Sequence, residues 1–481
     1  MATFFSENKK IFMMKNLQDT LGLTATESFS ATDLQNSSLQ QDRFENGRAL
    51  RIAIIAHSLY PIAQPYAGGL EMITQLLCDE LVERGHEVTL FAHADSQTKA
   101  RLRPFMSRAT FEETFYPNEH DSLGSSRDEL YQYQLYQEAL REIISSVDSS
   151  VSGSQKPAFD IVHNHSLHHV PMLVGQALGK RLFTTFHTPI FPHLRLALLT
   201  LRHGTDTQFT SISQFQQQLY AEFVPSAVVY NGIDVASFTA QTAPVEEECY
   251  FWFGRICPEK GTHLALEYCL AAGKRLLIAG PESNPEYFAS EVAPLLAQDA
   301  VENGGRGLLT YLGHLSKDQI NTQLQHSTAM LFTSTWDEPY GLTLAESLAC
   351  GTPVIGFNVG AASEIITDEV GIIVPKLDRE QFIAAFAKVH ELSRAACRAR
   401  AEQFCSVKAM VDGYLALYNQ SLGQSKPWSE QDLQSRAANN ALDNNNLDNS
   451  NLDNSNLDAN HLNDSRANAL SGANINPQQV I

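Results

Sequence analysis

Short apolar runs ending in polar residues recur along this chain, separated by stretches with helical spacing, and the whole series occurs twice. The first series runs through "RIAIIAHS" (51 to 58), "EVTLFAHADS", "FDIVHNHS", "RLFTTFHTP", "QFTSIS" and "SAVVYNGID". Runs of this kind are the signature of parallel strands buried on both faces. Between the first two, "YAGGLEMITQLLCDELVERGHE" reads as a glycine turn and an amphipathic helix ending at Gly85, which completes a βαβ unit. After the acidic "TAPVEEE" the series restarts with "CYFWFGRI", "KRLLIAGPE", "LLTYLGHLS", "TAMLFTST", "TPVIGFN" and "GIIVP". Two doubly wound α/β domains are expected, over 49–240 and 241–405, followed by a helix over 406–425.

Length agrees with this division, because 481 residues exceed what one ordinary core organises. Within the first domain, 96–156 reads as a helical insertion whose "RDELYQYQLYQEALREIISSV" packs its aromatics against the domain. Residues 1–48 are rich in Ser, Thr, Asn and Gln without a period, so a disordered extension is expected. In 426–481, leucines 442, 447, 452, 457 and 462 recur every five residues. Five such units cannot stack a continuous core, and the segment reads as a low-complexity, disordered tail.

The charge balance excludes a general nucleic-acid surface: 34 basic side chains stand against 54 acidic ones, for a formal net charge of -20. Any anion must therefore be met by a local site. The seven cysteines contain no CxxC pair and sit mostly in apolar runs, as reduced thiols of a cytoplasmic protein would. No apolar stretch approaches the roughly 18 residues of a membrane span, which leaves only peripheral membrane contact open.

Against that acidity, "WDEPYGLTLAESLACGTPVIG" (336 to 356) places Glu338 before a turn and Glu346 about one turn into the helix that follows. The first amides of that helix, near Gly341, Leu342 and Thr343, lack intrahelical acceptors and lie at its positive end, which makes an anion site. Carboxylates repel phosphate but accept strongly from hydroxyls. A nucleotide sugar has a diphosphate with hydroxyls on either side, and that is the ligand the arrangement suits. "FGRICPEKG" (253 to 261) supplies Arg255 and Lys260 as a planar fork and a point charge for the diphosphate.

With "GRICPEKG" and "EPYGLTLAESLACGTPVIG" in view, the chain resembles the retaining glycosyltransferases of family 4 over about 51–420. The resemblance implies the GT-B architecture, two facing Rossmann-like domains with a cleft between them. It also implies that Arg255 and Lys260 bind the donor diphosphate, Glu338 the sugar hydroxyls and Glu346 the ribose, with amides near Gly341, Leu342 and Thr343 assisting. "YAGGLE" matches the family's glycine-rich loop, where Gly68 and Gly69 let backbone approach the donor. "TTFHTPI" is similar to its strand-end histidine motif, which would set His187 beside the donor sugar. "YLGHLS", with Leu315, matches the region facing the nucleobase.

The reaction so implied is retaining transfer of a sugar, glucose or a related hexose, from a nucleoside diphosphate, a UDP-sugar first, to an unidentified acceptor hydroxyl. No DxD triplet occurs, so cationic side chains and helix amides would stabilise the leaving group without a metal. "VHNHSLHHV" offers His163, His165, His168 and His169, but no cysteine or carboxylate joins them at ligand spacing, and the loop is expected to line the cleft instead. No cofactor is expected. A nucleotide-sugar 2-epimerase of the same architecture and a catalytically silent binding protein are the alternative readings.

Overall fold

The computed structural model describes residues 49–115, 126–147, 157–302 and 307–423. The N-terminal extension and the repetitive tail lie outside the described residues. Seven strands form the first sheet: β1 (Arg51–Ile55), β2 (Glu87–Ala92), β3 (Arg101–Pro104), β4 (Ile161–Asn164), β5 (Leu182–Phe186), β6 (Gln208–Ser211) and β7 (Ala227–Val228). Six form the second: β8 (Tyr250–Phe253), β9 (Leu276–Ala279), β10 (Leu309–Tyr311), β11 (Ala329–Phe332), β12 (Val354–Phe357) and β13 (Gly371–Val374). The strand orders are β3-β2-β1-β4-β5-β6-β7 and β10-β9-β8-β11-β12-β13. Every pairing is parallel. Each order reverses direction once, at β1/β4 and at β8/β11, where loops diverge and leave a crevice at the carboxyl ends of the strands.

Side-chain alternation along β1 explains why both faces of the first sheet are covered. Ile52 and Ile54 join one core with Ile73, Leu77, Cys78 and Leu81 of helix α1 (Gly69–Glu83). Ala53 and Ile55 point the other way, into a core built with Tyr131, Leu135, Tyr136, Ala139 and Leu140 of helix α2 (Arg127–Ser145). Ser126 caps α2 by accepting from the Glu129 amide. The aromatics of this segment are therefore packing residues. The segment is not wholly helical, however: "RLRP" pairs with β2 as the edge strand β3. It has three exposed residues and one half-buried residue, so it lacks the apolar run by which its neighbours are recognised.

In the second half, helices α3 (Thr262–Ala272), α4 (Leu342–Ala349) and α5 (Arg394–Phe404) pack about one continuous core. Helix α6 (Val407–Gly423) then returns to the first half, where Met410, Val411, Tyr414 and Tyr418 join the core of β1 and α1. Arg84, which caps the end of α1, binds Asp412 and donates to the Lys408 carbonyl (3.1 Å). All seven cysteines are buried free thiols.

The turn carrying Glu338 is held by the turn after β12. Ala361 N–H donates to the Glu338 carbonyl (3.0 Å) and Gly360 N–H to the Asp337 carboxylate (3.2 Å). Gly360 has φ +52°, and a Cβ there would lie 2.1 Å from the Glu338 oxygen. Glycine is thus required twice over, by conformation and by contact. Gly360→Ala and Gly360→Asn should each lower stability by about 2–3 kcal/mol in denaturant titration, since asparagine tolerates the φ but not the contact. A wild-type midpoint for the asparagine variant would show that the close approach imposes nothing.

Candidate functional site

The loops leaving β8 and β11, the two strands at the reversal of the second sheet, are stitched together. The Glu259 carbonyl accepts from the Thr335 amide (2.8 Å) and the Trp336 amide (3.3 Å), and Thr333 Oγ1 donates to the Gly261 carbonyl (2.8 Å). The result brings Lys260 to Glu338, and the two form a direct ion pair. Ser334 Oγ also donates to Glu338 Oε1 (3.1 Å). Glu338 is 13% exposed and Lys260 23%, so both heads remain reachable at the crevice while water is largely excluded. Arg255 lies on the same loop, more exposed, with Nη2 3.9 Å from Glu259 Oε1.

Helix α4 begins two residues beyond this turn. Gly341 precedes it at φ +99°, and no side chain caps its first amides, including those of Leu342 and Thr343. A helix N-terminus without a side-chain cap, beside a lysine and an arginine, attracts anions. Glu346 projects from the first turns of the helix, and burial raises its pKa to about 7 against the counteracting charge of Lys317. Lys317 itself lies 4.7 Å over the Phe238 ring and donates to Ser237 Oγ (2.8 Å). Leu315 is half-buried against the second core, in the loop after β10, two strands from β8. It belongs to the wall of that half and not to the Lys260 and Glu338 cluster.

From the first half, the glycine-rich loop meets the start of α4. A Cβ on Gly69 would fall 2.5 Å from Leu342 Cδ1, so the glycine is what admits that leucine. Leu342 and Met72 touch the cores of both halves. Gly68 has φ -165°, an extended conformation open to any residue, so its own backbone does not demand glycine.

His187 follows β5, on the first-half side of the site. Its Nε2 lies 3.0 Å from His165 Nδ1, His165 Nε2 lies 3.2 Å from His163 Nδ1, and that atom lies 2.5 Å from the Tyr418 hydroxyl. His163 Nε2 is also 2.7 Å from Thr185 Oγ1. Burial lowers His187 to about 3 and holds His163 and His165 well below the usual imidazole value. Each ring is neutral at neutral pH, so each contact needs a donor on one side and a lone pair on the other, and the tautomers along the series are correlated.

This corrects the expectation that the whole "VHNHSLHHV" loop lines the cleft. His163 and His165 are fully buried beneath His187, against Tyr414 and Tyr418. Among the described residues, no group of three or more His, Cys, Asp and Glu is arranged to hold a metal ion. Nor is any helix among them long and apolar enough to cross a membrane. Sequence reasoning did not single out Gly360, Ser334, Lys317 or the tyrosines of α6, because their partners lie from 4 to 255 positions away and no local spacing marks them.

Comparison with known proteins accounts for both halves. Residues 67–237 match the family model described as Glycosyltransferase Family 4, and residues 236–404 match that of the Glycosyl transferases group 1. D-inositol 3-phosphate glycosyltransferase of Mycolicibacterium smegmatis is 25% identical over 416 residues, 77% of this chain and 91% of the relative. Among solved structures, HepE of Anabaena in complex with UDP and glucose superposes with a TM-score of 0.55 at 17% identity, over 77% of this chain and all of that one. A glycosyltransferase from Rickettsia africae gives 0.57 at 17% identity, over 79% and 100%. Two parallel sheets with facing strand-end crevices are the GT-B fold, and the chain belongs to the group 1 glycosyltransferases of family 4.

Proposed function

We propose that the chain transfers a hexose, glucose first, from a UDP-sugar to an acceptor hydroxyl, with retention at the anomeric carbon and without a metal ion. The observation that carries this reading is the Lys260 and Glu338 pair beside the uncapped start of α4. One carboxylate and one ammonium at a helix N-terminus are complementary to a sugar hydroxyl and a phosphate set side by side. The UDP and glucose of the Anabaena structure support the choice of donor, and the name of the mycobacterial relative supports a hydroxyl-bearing acceptor.

In this scheme Lys260 turns from Glu338 to the diphosphate, Arg255 and the α4 amides share the charge, and Glu338 accepts from the sugar hydroxyls. Glu346 accepts from the ribose. His187, neutral and held from behind by His165, stands at the sugar as a hydrogen-bonding group without charge. The chain carries its own counter-charge for the departing diphosphate, so that no metal is required for it. The acceptor attacks on the face the leaving group vacates, and a phosphate oxygen takes its proton. Loss of Arg255 or Lys260 removes about 2–4 kcal/mol of transition-state stabilisation.

Thermal-shift titration with UDP, GDP, ADP and their glucose or mannose conjugates, in EDTA, tests the donor. UDP-glucose at about 100 times its Kd should add roughly 2.7 kcal/mol of stability, and an Arg255→Ala, Lys260→Ala variant should lose the effect. No shift with any nucleotide would sink the reading. Glu338→Gln should keep the fold and lose most turnover, and proton NMR of the product should show the donor's anomeric configuration.

Glu346 yields a pH prediction whose sign follows from its raised pKa. The folded chain binds a proton between about 7 and the ordinary 4.5 that the unfolded chain has already released, so this group's contribution falls as pH rises through that window. Glu346→Gln should therefore raise the melting temperature at pH 8, with the gain disappearing at pH 4. Donor affinity should run the opposite way in the native protein, strengthening as the carboxylate forms near pH 7. A variant whose nucleotide affinity keeps the native pH dependence would remove Glu346 from the ribose site.

A further inference from the structure

At the carboxyl edge of the first sheet, several buried polar atoms have no hydrogen-bond partner: Ser58 Oγ after β1, His169 Nδ1 after β4, Thr188 Oγ1 after β5, and both carboxylate oxygens of Glu71 in the first turn of α1. β1, β4 and β5 are consecutive neighbours in the sheet, and β1/β4 is its point of reversal, where a crevice forms. Unsatisfied buried groups are rare in folded chains, and their concentration at one crevice marks a place where a ligand supplies the missing partners.

Glu71 is the strongest of them. It is 0% exposed, and His57 Nδ1 stands 3.9 Å from its Oε1. His57 does not answer it with charge, since burial lowers that imidazole to about 4. Nor does Nδ1 carry the proton, because it accepts from the Leu59 amide (3.4 Å). Burial raises the Glu71 pKa, although the amides of Gly68 and of Glu71 itself favour the charged form. His57 Nδ1 already has its donor, so the unanswered acceptors are the two Glu71 oxygens, and a ligand hydroxyl supplies one O–H to them.

The charge of the surrounding loops narrows the ligand further. Segments 56–68, 165–169 and 187–191 contain five histidines and neither lysine nor arginine. Of these, His168 is lowered to about 3 by burial and by its histidine neighbours, and His165 and His187 are likewise neutral. A phosphorylated acceptor would meet no counter-charge there, whereas a polyol would meet neutral imidazoles, hydroxyls and one carboxyl group. We propose that Glu71, beside His57 at the β1/β4 crevice, accepts from a hydroxyl of an uncharged, polyhydroxylic acceptor, an assignment that rests on the glycosyltransferase reading above. The crevice selects for hydroxyl-rich acceptors by supplying lone pairs where donors are absent.

The test uses the full chain with UDP-glucose and follows UDP release on adding myo-inositol, glucose or sucrose, and in parallel glucose 6-phosphate and inositol phosphate. The neutral compounds should stimulate release and the phosphates should not. Glu71→Gln should raise the acceptor KM about tenfold to a hundredfold, the range for losing a hydrogen bond to a charged group. It should also raise the melting temperature, because a neutral amide costs less to bury than a carboxyl group that must lose its solvation when charged. A purely structural Glu71 would give the reverse.

Preferential stimulation by the phosphates, no stimulation by any neutral compound, or an unchanged acceptor KM in Glu71→Gln would each overturn the proposal. The UDP-induced thermal shift separates this from failure of the donor reading: it persists when only the acceptor assignment is wrong and is missing when the donor site is.

Discussion

The chain crosses between its two halves twice, and the crossings are bonded to each other. Ile233 N–H donates to the Cys405 carbonyl (2.7 Å), and Val407 N–H donates back to the Ile233 carbonyl (2.9 Å). Gly232 N–H lies 3.3 Å from Met410 Sδ, immediately beyond the second crossing. From this junction α6 runs into the first half and buries Tyr414 and Tyr418 completely beside His163 and Thr185. Because this last helix completes the core of the first half, the first sheet does not keep a closed core without it. Glu364 of the second half also accepts from the Gln214 and Phe215 amides and from the Tyr230 hydroxyl, so the halves are tied there as well as at the crossings.

That junction sets side by side two halves that differ in charge. Charge is concentrated on the second sheet, in Arg255, Lys260, Glu338 and the start of α4, and neutrality on the first, in His57, His165, His168 and His187. On the proposed reading, a diphosphate would have its counter-charges on one half, and the sugar and acceptor would meet the other. The Lys260 and Glu338 pair is intelligible in the same terms. A lysine held at a low-dielectric crevice needs a counter-ion, and Glu338 provides one that a phosphate can replace without leaving either group unpaired, provided a sugar hydroxyl arrives with it.

The repeated βαβ order, the glycine turns and the Arg255 to Lys260 and Glu338 to Glu346 segments were legible in the sequence because each depends on neighbours within a few positions. Strand period, helix caps and strand-end motifs are local properties. What escaped was set by long-range contact. β3 pairs as a strand despite its mostly exposed residues, because β2 offers it an edge. His163 and His165 look like loop histidines and turn out to be core residues, because α6 arrives from 240 positions or more downstream to cover them. Glu71 looks like an ordinary acid in the first turn of a helix, and only the fold shows that its carboxylate is buried.

Glu71 and Glu346 have the same relation to the fold. Each is an acid early in a helix at the crevice of its sheet, α1 at β1/β4 and α4 at β8/β11, and burial raises the pKa of each. A chain selected for stability alone would replace such groups with amides or apolar side chains, since burying a carboxylate is costly. Their occurrence at both switch points follows if a carboxylate is needed to accept from hydroxyls that arrive only with the substrates. The two halves then offset their acids differently, α1 through the amides of Gly68 and Glu71 and α4 through the charge of Lys317, while each keeps a carboxyl group at its crevice for a hydroxyl-bearing ligand.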